Sequence, residues 1–260
     1  MLTIAALFVL AQPVLRPFEA EGFAALNAGD HARCSRIFAA AAREHADEPS
    51  PAFAAARCFA GRGDTTAAQR HLDLAFARGY RNCRNVRELF PDALPRCEAN
   101  AEQFVRDSNP ELLAAFLADQ EERSKEIADV EAAKRRDAVR RDVVRIAIAR
   151  RALRTADDYY HAAMILHHGD DSATARDFAK RAVELRPSFA AARWLYAAAT
   201  DRALHAAGKP QIFGTQSQQI GGQWTLEPFD PSAIDDAERA RWRVRPLAET
   251  RKMIDGMNGR

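Results

Sequence analysis

Two Gly-Asp pairs, Gly29-Asp30 and Gly63-Asp64, stand 34 residues apart in a stretch otherwise made of helix-forming residues. Other positions keep the same register. Gly22, Phe38 and Ala41 place a small, an aromatic and a small residue around the first pair, and Ala68, Leu72 and Ala75 fill inward positions after the second. A period of this length fits a helix, a Gly-Asp turn and a second helix, with Pro49 and Pro51 opening the next copy. Small inward residues let paired helices approach closely, so the recurrence restricts the chain to stacked helical hairpins. Composition agrees, because Val, Ile and Tyr are few beside abundant Ala, Arg, Leu and Glu. A hydrophobic share of 47% excludes a long disordered chain, and 28% charged residues with a net charge of +2 leave no surplus for a histone-like binder.

The pattern resembles a tetratricopeptide array over residues 17–99, with residues 80–97, including Phe90-Pro91-Asp92, expected as its irregular cap. Cys34, Cys58, Cys83 and Cys97 form an even set within that module, consistent with an oxidising compartment such as the periplasm. No Cys-x-x-Cys pair occurs, so zinc-ribbon and thioredoxin-like chemistry lack their motif. Of the three possible pairings, Cys34 with Cys58 and Cys83 with Cys97 is favoured, against four buried free thiols. Residues 1–11 read MLTIAALFVLA, apolar and ending in a small residue, as a cleavable signal peptide does, although no basic residue precedes the apolar run. Spanning a bilayer takes roughly 20 apolar residues, so this segment is too short to remain as a membrane anchor. A buried N-terminal helix is the competing reading. Export to the periplasm or beyond is expected, with no membrane span after leader cleavage.

From Asn109-Pro110 a second helical region begins, with Asn109 as cap, Pro110 in the first turn and Leu112, Leu113, Phe116 and Leu117 as one apolar stripe. Residues 134–154 carry nine basic and two acidic side chains in a helical pattern whose apolar side would be Val139, Val143, Ile146 and Ile148. Such a run suits nucleic acid or anionic lipid, but no aromatic residue is interleaved for base stacking, and a solvated face is the preferred reading. Nucleic acid is therefore not an expected partner. Residues 155–187 repeat the hairpin architecture around Gly169-Asp170, and residues 189–207 predict one more helix, buried through Trp194, Leu195, Ala198 and Leu204. No partner helix follows. Gly, Gln and Pro instead predict an ordered loop, with a short hairpin around Gly221-Gly222, and a final helix is expected from Asp235 to about Met253.

Several ordered segments here resemble an uncharacterised bacterial family, domain of unknown function 6624, called below the GTQ-loop family. They are residues 158–163 (DYYHAA), His168-Gly169, Asp201-Arg202 and residues 208–216 (GKPQIFGTQ). Asp119-Gln120 with Arg123 extends the likeness upstream, and Pro228, Asp230, Arg239 and Pro246-Leu247 extend it downstream, covering residues 109–253. His167 departs from it, since Gln commonly stands there in the family. The resemblance implies a shared fold and a shared site but names no reaction.

Read as residues, Asp119 and Arg123 lie four apart on one helical face, within ion-pair reach. His161 and His168 share a helical side, while Asp201 and Arg202 point about 100° apart. Gln211, Thr215 and Gln216 bring amide and hydroxyl groups from the loop toward these helices. Two readings stay open: a polar network pinning the loop in place of a missing helix, or a ligand pocket formed by Asp119, Gln120, Arg123, His168, Asp201, Arg202, Gln211, Thr215 and Gln216. No cofactor is expected. No metal is expected either, because Asp158, His161 and His168 lack a His-x-x-x-His or His-Glu-x-x-His spacing. Thr215 as a nucleophile with His168 as base is a weaker idea, and a Gly-x-Ser-x-Gly elbow is missing.

The expected fold class is therefore all-α: a short tetratricopeptide-like helical hairpin array followed by a helical domain with an ordered polar loop. The expected function is capture of an unidentified protein or peptide, since stacked hairpins line a concave groove. An enzyme or small-ligand binder working between the loop and its neighbouring helices is the alternative.

Overall fold

The computed structural model describes residues 15–125, 129–169 and 171–259. The expected leader, residues 1–11, and Asp170 lie outside these. The described residues form thirteen α-helices and one small hairpin, divided between two units, Leu15–Asp107 and the chain from Ser108 onward.

In the first unit, α1 (Pro17–Asn27) pairs with α2 (His31–Glu44), and α3 (Pro49–Gly61) pairs with α4 (Thr65–Ala77). The two turns are built alike. Gly29 and Gly63 adopt φ of 74° and 80°, a left-handed geometry that a Cβ would strain. The following carboxylates, Asp30 and Asp64, accept from the N–H groups of Arg33 and Ala67 at 2.9 and 3.0 Å and so cap α2 and α4. Helix α3 packs on both α2 and α4. That position explains why its residues from Pro51 to Ala56 are all buried.

The segment expected to be an irregular cap is more regular than that. It contains α5 (Cys83–Leu89), a 3-10 turn at Pro91–Ala93 and α6 (Leu94–Asp107). Asn82 caps α5 by accepting from the Asn85 N–H, and Phe53 of α3 stacks on Tyr80 at 4.0 Å between ring centres. The disulfides are the favoured pair. Cys34–Cys58 ties α2 to α3 and Cys83–Cys97 ties α5 to α6, with Cα separations of 5.7 and 5.5 Å.

The second unit opens with α7 (Pro110–Arg123), α8 (Val130–Ala149), α9 (Ala156–His168), α10 (Ser172–Leu185) and α11 (Ala190–Ala206). Helix α9 packs on α7, α8 and α10, and α10 packs on α11. Its main apolar cluster gathers Leu112, Val144, Ala162, Ile165, Leu166, Ala175 and Ala199. Asn109 caps α7 through the Leu112 N–H at 3.0 Å, as expected.

Two apolar stripes differ from expectation. Leu117 is exposed, and on α8 Val139, Ile146 and Ile148 face solvent, while the buried face is Ala133, Asp137, Arg140, Val144 and Ala147. The register was hidden because two of its five positions are charged, and charges are buried only when paired. The helix also stops at Ala149 rather than running to Arg154; Arg151 takes φ of 52°.

After α11 come the polar loop, β1 (Gln218–Ile220) and β2 (Gln223–Thr225), which pair antiparallel around Gly221-Gly222. The hairpin is a small departure from an all-α chain. The expected last helix is two helices, α12 (Asp236–Arg241) and α13 (Leu247–Asn258). Pro246 enforces the break, because it lacks an N–H and its ring would clash with the carbonyl one turn earlier.

Candidate functional site

The nine site residues expected from the sequence fall into two groups, joined by the neighbours Asp201 and Arg202 on α11.

The first group lies where α7, α8 and α9 meet. Asp119 is fully buried on α7. It accepts from Arg123 Nε at 3.0 Å and Gln120 Nε2 at 2.8 Å, and it is 2.8 Å from His168 Nδ1. Arg123 also donates to Asp137 at 2.8 Å. Arg140 in turn donates to Asp137 at 2.9 Å and to Glu122 at 2.5 Å, and Arg136 Nε donates to Glu122 at 2.9 Å. Three carboxylates thus alternate with three guanidiniums across the α7–α8 interface. The network offsets a desolvation cost that an isolated buried ion would not survive. Asp137, Arg140 and Glu122 were not anticipated from the sequence, although Asp137 and Arg140 stand three apart in the basic run, the spacing of neighbours on a helix.

Burial raises the Asp119 carboxyl, but His168, Arg123 and Gln120 together hold it below its ordinary value. His168 also lies below its ordinary value: burial and the charges of Arg123 and Arg202 outweigh the attraction of Asp119. The two directions agree on an ionised carboxylate beside a neutral imidazole. A neutral ring held through Nδ1 carries its proton there and presents Nε2 as an acceptor, an assignment made by the hydrogen bond. Its neighbour His167 is 3% exposed and is pushed well below the ordinary range by burial, then by Arg202, His168 and Arg123. Its Nδ1 is buried without a hydrogen-bond partner.

The second group is the loop itself. Asp201, fully buried on α11, accepts the backbone N–H groups of Ile212, Phe213 and Thr215, each at 2.9 Å, and the Thr215 hydroxyl at 2.8 Å. Burial pushes this carboxyl above its ordinary value, more than those donors pull it down. From the opposite polarity, Arg239 of α12 donates to the carbonyls of Phe213 at 3.3 Å and Ile212 at 3.2 Å. Gln211 donates through Nε2 to the carbonyls of Gln216, at 2.8 Å, and Leu226, while its Oε1 accepts from the Gln216 N–H at 3.0 Å. Gln216 donates to the Ala198 carbonyl of α11 at 3.3 Å. Gly214 turns the loop with φ of 77°. The loop is therefore gripped at its N–H groups by a carboxylate and at its carbonyls by a guanidinium.

Arg202, next along α11, points the other way and donates to the His167 carbonyl at 2.5 Å. The remaining candidates have structural duties. Asp158 accepts from the N–H groups of Asn109, Arg154 and Thr155, which leaves its carboxylate committed to chain junctions. His161 stacks on Phe116 at 4.3 Å. Thr215 directs its hydroxyl to Asp201 and not to an imidazole. Among the described residues no cluster of His, Cys, Asp and Glu is arranged to hold a metal ion. No described helix is long and apolar enough to cross a membrane. Comparison of the chain with protein-family models, with curated proteins and with solved structures finds no match.

Proposed function

We propose that the chain is an exported helical-repeat module that captures a protein or peptide, its C-terminal unit being a member of the GTQ-loop family. The observation that carries the reading is the repeated construction of α1–α2 and α3–α4, with the same Gly turn and the same Asp cap 34 residues apart. In tetratricopeptide-like stacking, successive first helices line one face, here α1 and α3, and that face is where a partner would lie. Two disulfides within this unit fit an oxidising compartment such as the periplasm. A catalytic or ligand pocket lined by the polar loop is the weaker reading, because Gln211, Thr215 and Gln216 turn their polar groups to Asp201, to backbone carbonyls and to one another.

Ala24 on α1, Arg57 on α3 and Arg70 on α4 are all exposed. A photoreactive residue placed at Ala24 or Arg57 in exporting cells is expected to yield one defined protein adduct, and at Arg70 none. Adducts from Arg70 alone, or none from either first helix, would overturn the reading.

A further inference from the structure

We infer that the partner taken up by the first unit is an acidic peptide segment, one of whose carboxylates docks on Arg57 of α3 beside Tyr80 and Asn85. The inference rests on the peptide-capture reading and adds the chemistry of what is captured.

The position follows from the packing of α3. Held between α2 and α4, this helix leaves Ser50, Arg57, Ala60 and Gly61 exposed. Arg57 stands one turn beyond Phe53, so the two share a side of the helix. Phe53 in turn stacks on Tyr80, with 4.0 Å between ring centres and 9° between planes. From α5, Asn85 Nδ2 donates to the Tyr80 hydroxyl oxygen at 3.4 Å. Burial pushes the Tyr80 phenol above its ordinary value, against the pull of Asn85 and of the nearby Arg57 charge, so it keeps its proton at neutral pH. The phenol oxygen accepts from Asn85, and its own O–H meets no acceptor among the described residues.

Charge decides the class of partner. Among the described residues no hydrogen bond or ion pair engages the Arg57 guanidinium. Helix α3 carries no Asp or Glu. On α1, Glu19 and Glu21 are held by Arg16 and Arg33 at 2.9 and 2.7 Å, and on α5 Glu88 faces Arg84 at 3.5 Å. Every acid on α1, α3 and α5 therefore has its cation already, and Arg57 keeps its N–H donors beside a phenol O–H. Donors with no acceptor among them suit a carboxylate, which only accepts. A basic segment would meet like charge instead. The flanks are small or apolar: Ala54 lies one turn before Arg57, and the exposed Leu89 lies one turn beyond Asn85. A bound chain can thus approach closely, and the water it displaces strengthens the ion pair.

Display of a random peptide library against the immobilised full-length, oxidised protein tests the assignment. The retained pool should be enriched in Asp and Glu over the input, and Arg57→Gln as bait should lose that enrichment. Arg87→Gln should keep it, because Arg87 is exposed on α5 but points about 160° away from Asn85. For a retained peptide, Glu→Gln at its docking acid and Arg57→Gln should each weaken binding about ten-fold, and both together little more than either alone. The peptide substitution needs no change to the protein, so it reports even where a protein variant fails to fold. A retained pool without acid preference, or one whose preference survives Arg57→Gln, would overturn this inference and leave peptide capture standing. No retained pool at all would overturn both.

Discussion

At the scale of single residues, burial decides what each polar side chain is worth. Asp201 accepts three backbone N–H groups and a hydroxyl inside the fold, so Asp201→Ala strands four donors at once. Each unsatisfied buried donor costs about 1–3 kcal/mol. The variant should therefore lose at least ~3 kcal/mol by chemical denaturation, whereas Gln218→Ala, an exchange beside the loop, should stay within about 1 kcal/mol. Equal and small losses in both would show that the loop is not held by Asp201.

His167 makes a separate prediction about pH. Its folded-state value lies well below 6.5, and that of His168 lies below it too, so within this window the unfolded chain binds more protons than the folded one. Their contribution to stability is complete above pH 6.5 and is lost as pH falls toward the folded values. His167→Gln removes the deeper of the two, so its melting temperature should fall less than that of the wild type between neutral and mildly acidic pH. Parallel melting curves against pH would contradict the assignment.

At the scale of elements, α8 shows why a basic run need not be a binding surface. Arg136 and Arg140 serve Glu122 and Asp137, Lys134 pairs with Glu131, Arg145 with Asp142, and Arg141 holds the Gly169 carbonyl just past α9. Duplex DNA binding at physiological salt is expected to be undetectable. Micromolar affinity with a log–log salt slope steeper than about −4, the mark of four or more phosphate contacts, would refute this.

The disulfides act on α2–α3 and α5–α6 in another way, by limiting the unfolded chain. A closure of about 15 residues, such as Cys83–Cys97, is worth roughly 3 kcal/mol in the loop-entropy description. Reduction should therefore lower the melting temperature of the first unit and leave the cysteine-free second unit unchanged. Calorimetry with and without reductant checks both halves.

For the whole molecule, the division into two units carries its own test. The apolar clusters around Phe38 and around Phe53, and both disulfides, are internal to Leu15–Asp107. That fragment, expressed alone under oxidising conditions, should be helical and melt cooperatively. A fragment that lacks a cooperative transition would mean that the unit depends on the rest of the chain.

Local chemistry alone determined a good part of this protein. Gly-Asp turns, Asn and Asp caps, proline stops and small inward residues act within a few residues of themselves, and they placed the hairpins of the first unit, the start of α7, the β1–β2 turn and the end of α11. The Asp119–Arg123 pair was legible for the same reason, being one helical turn long. What the tertiary structure decided involves partners far apart in the chain. Asp119 meets His168 across 49 residues, and Arg239 reaches the Phe213 carbonyl across 26. The face of α8 could not be read from its apolar residues because its buried charges are tolerated only through Glu122 and Arg123 of another helix. A periodicity argument assigns burial to hydrophobicity; where paired charges take the buried stripe, only the packed helices reveal which side faces in.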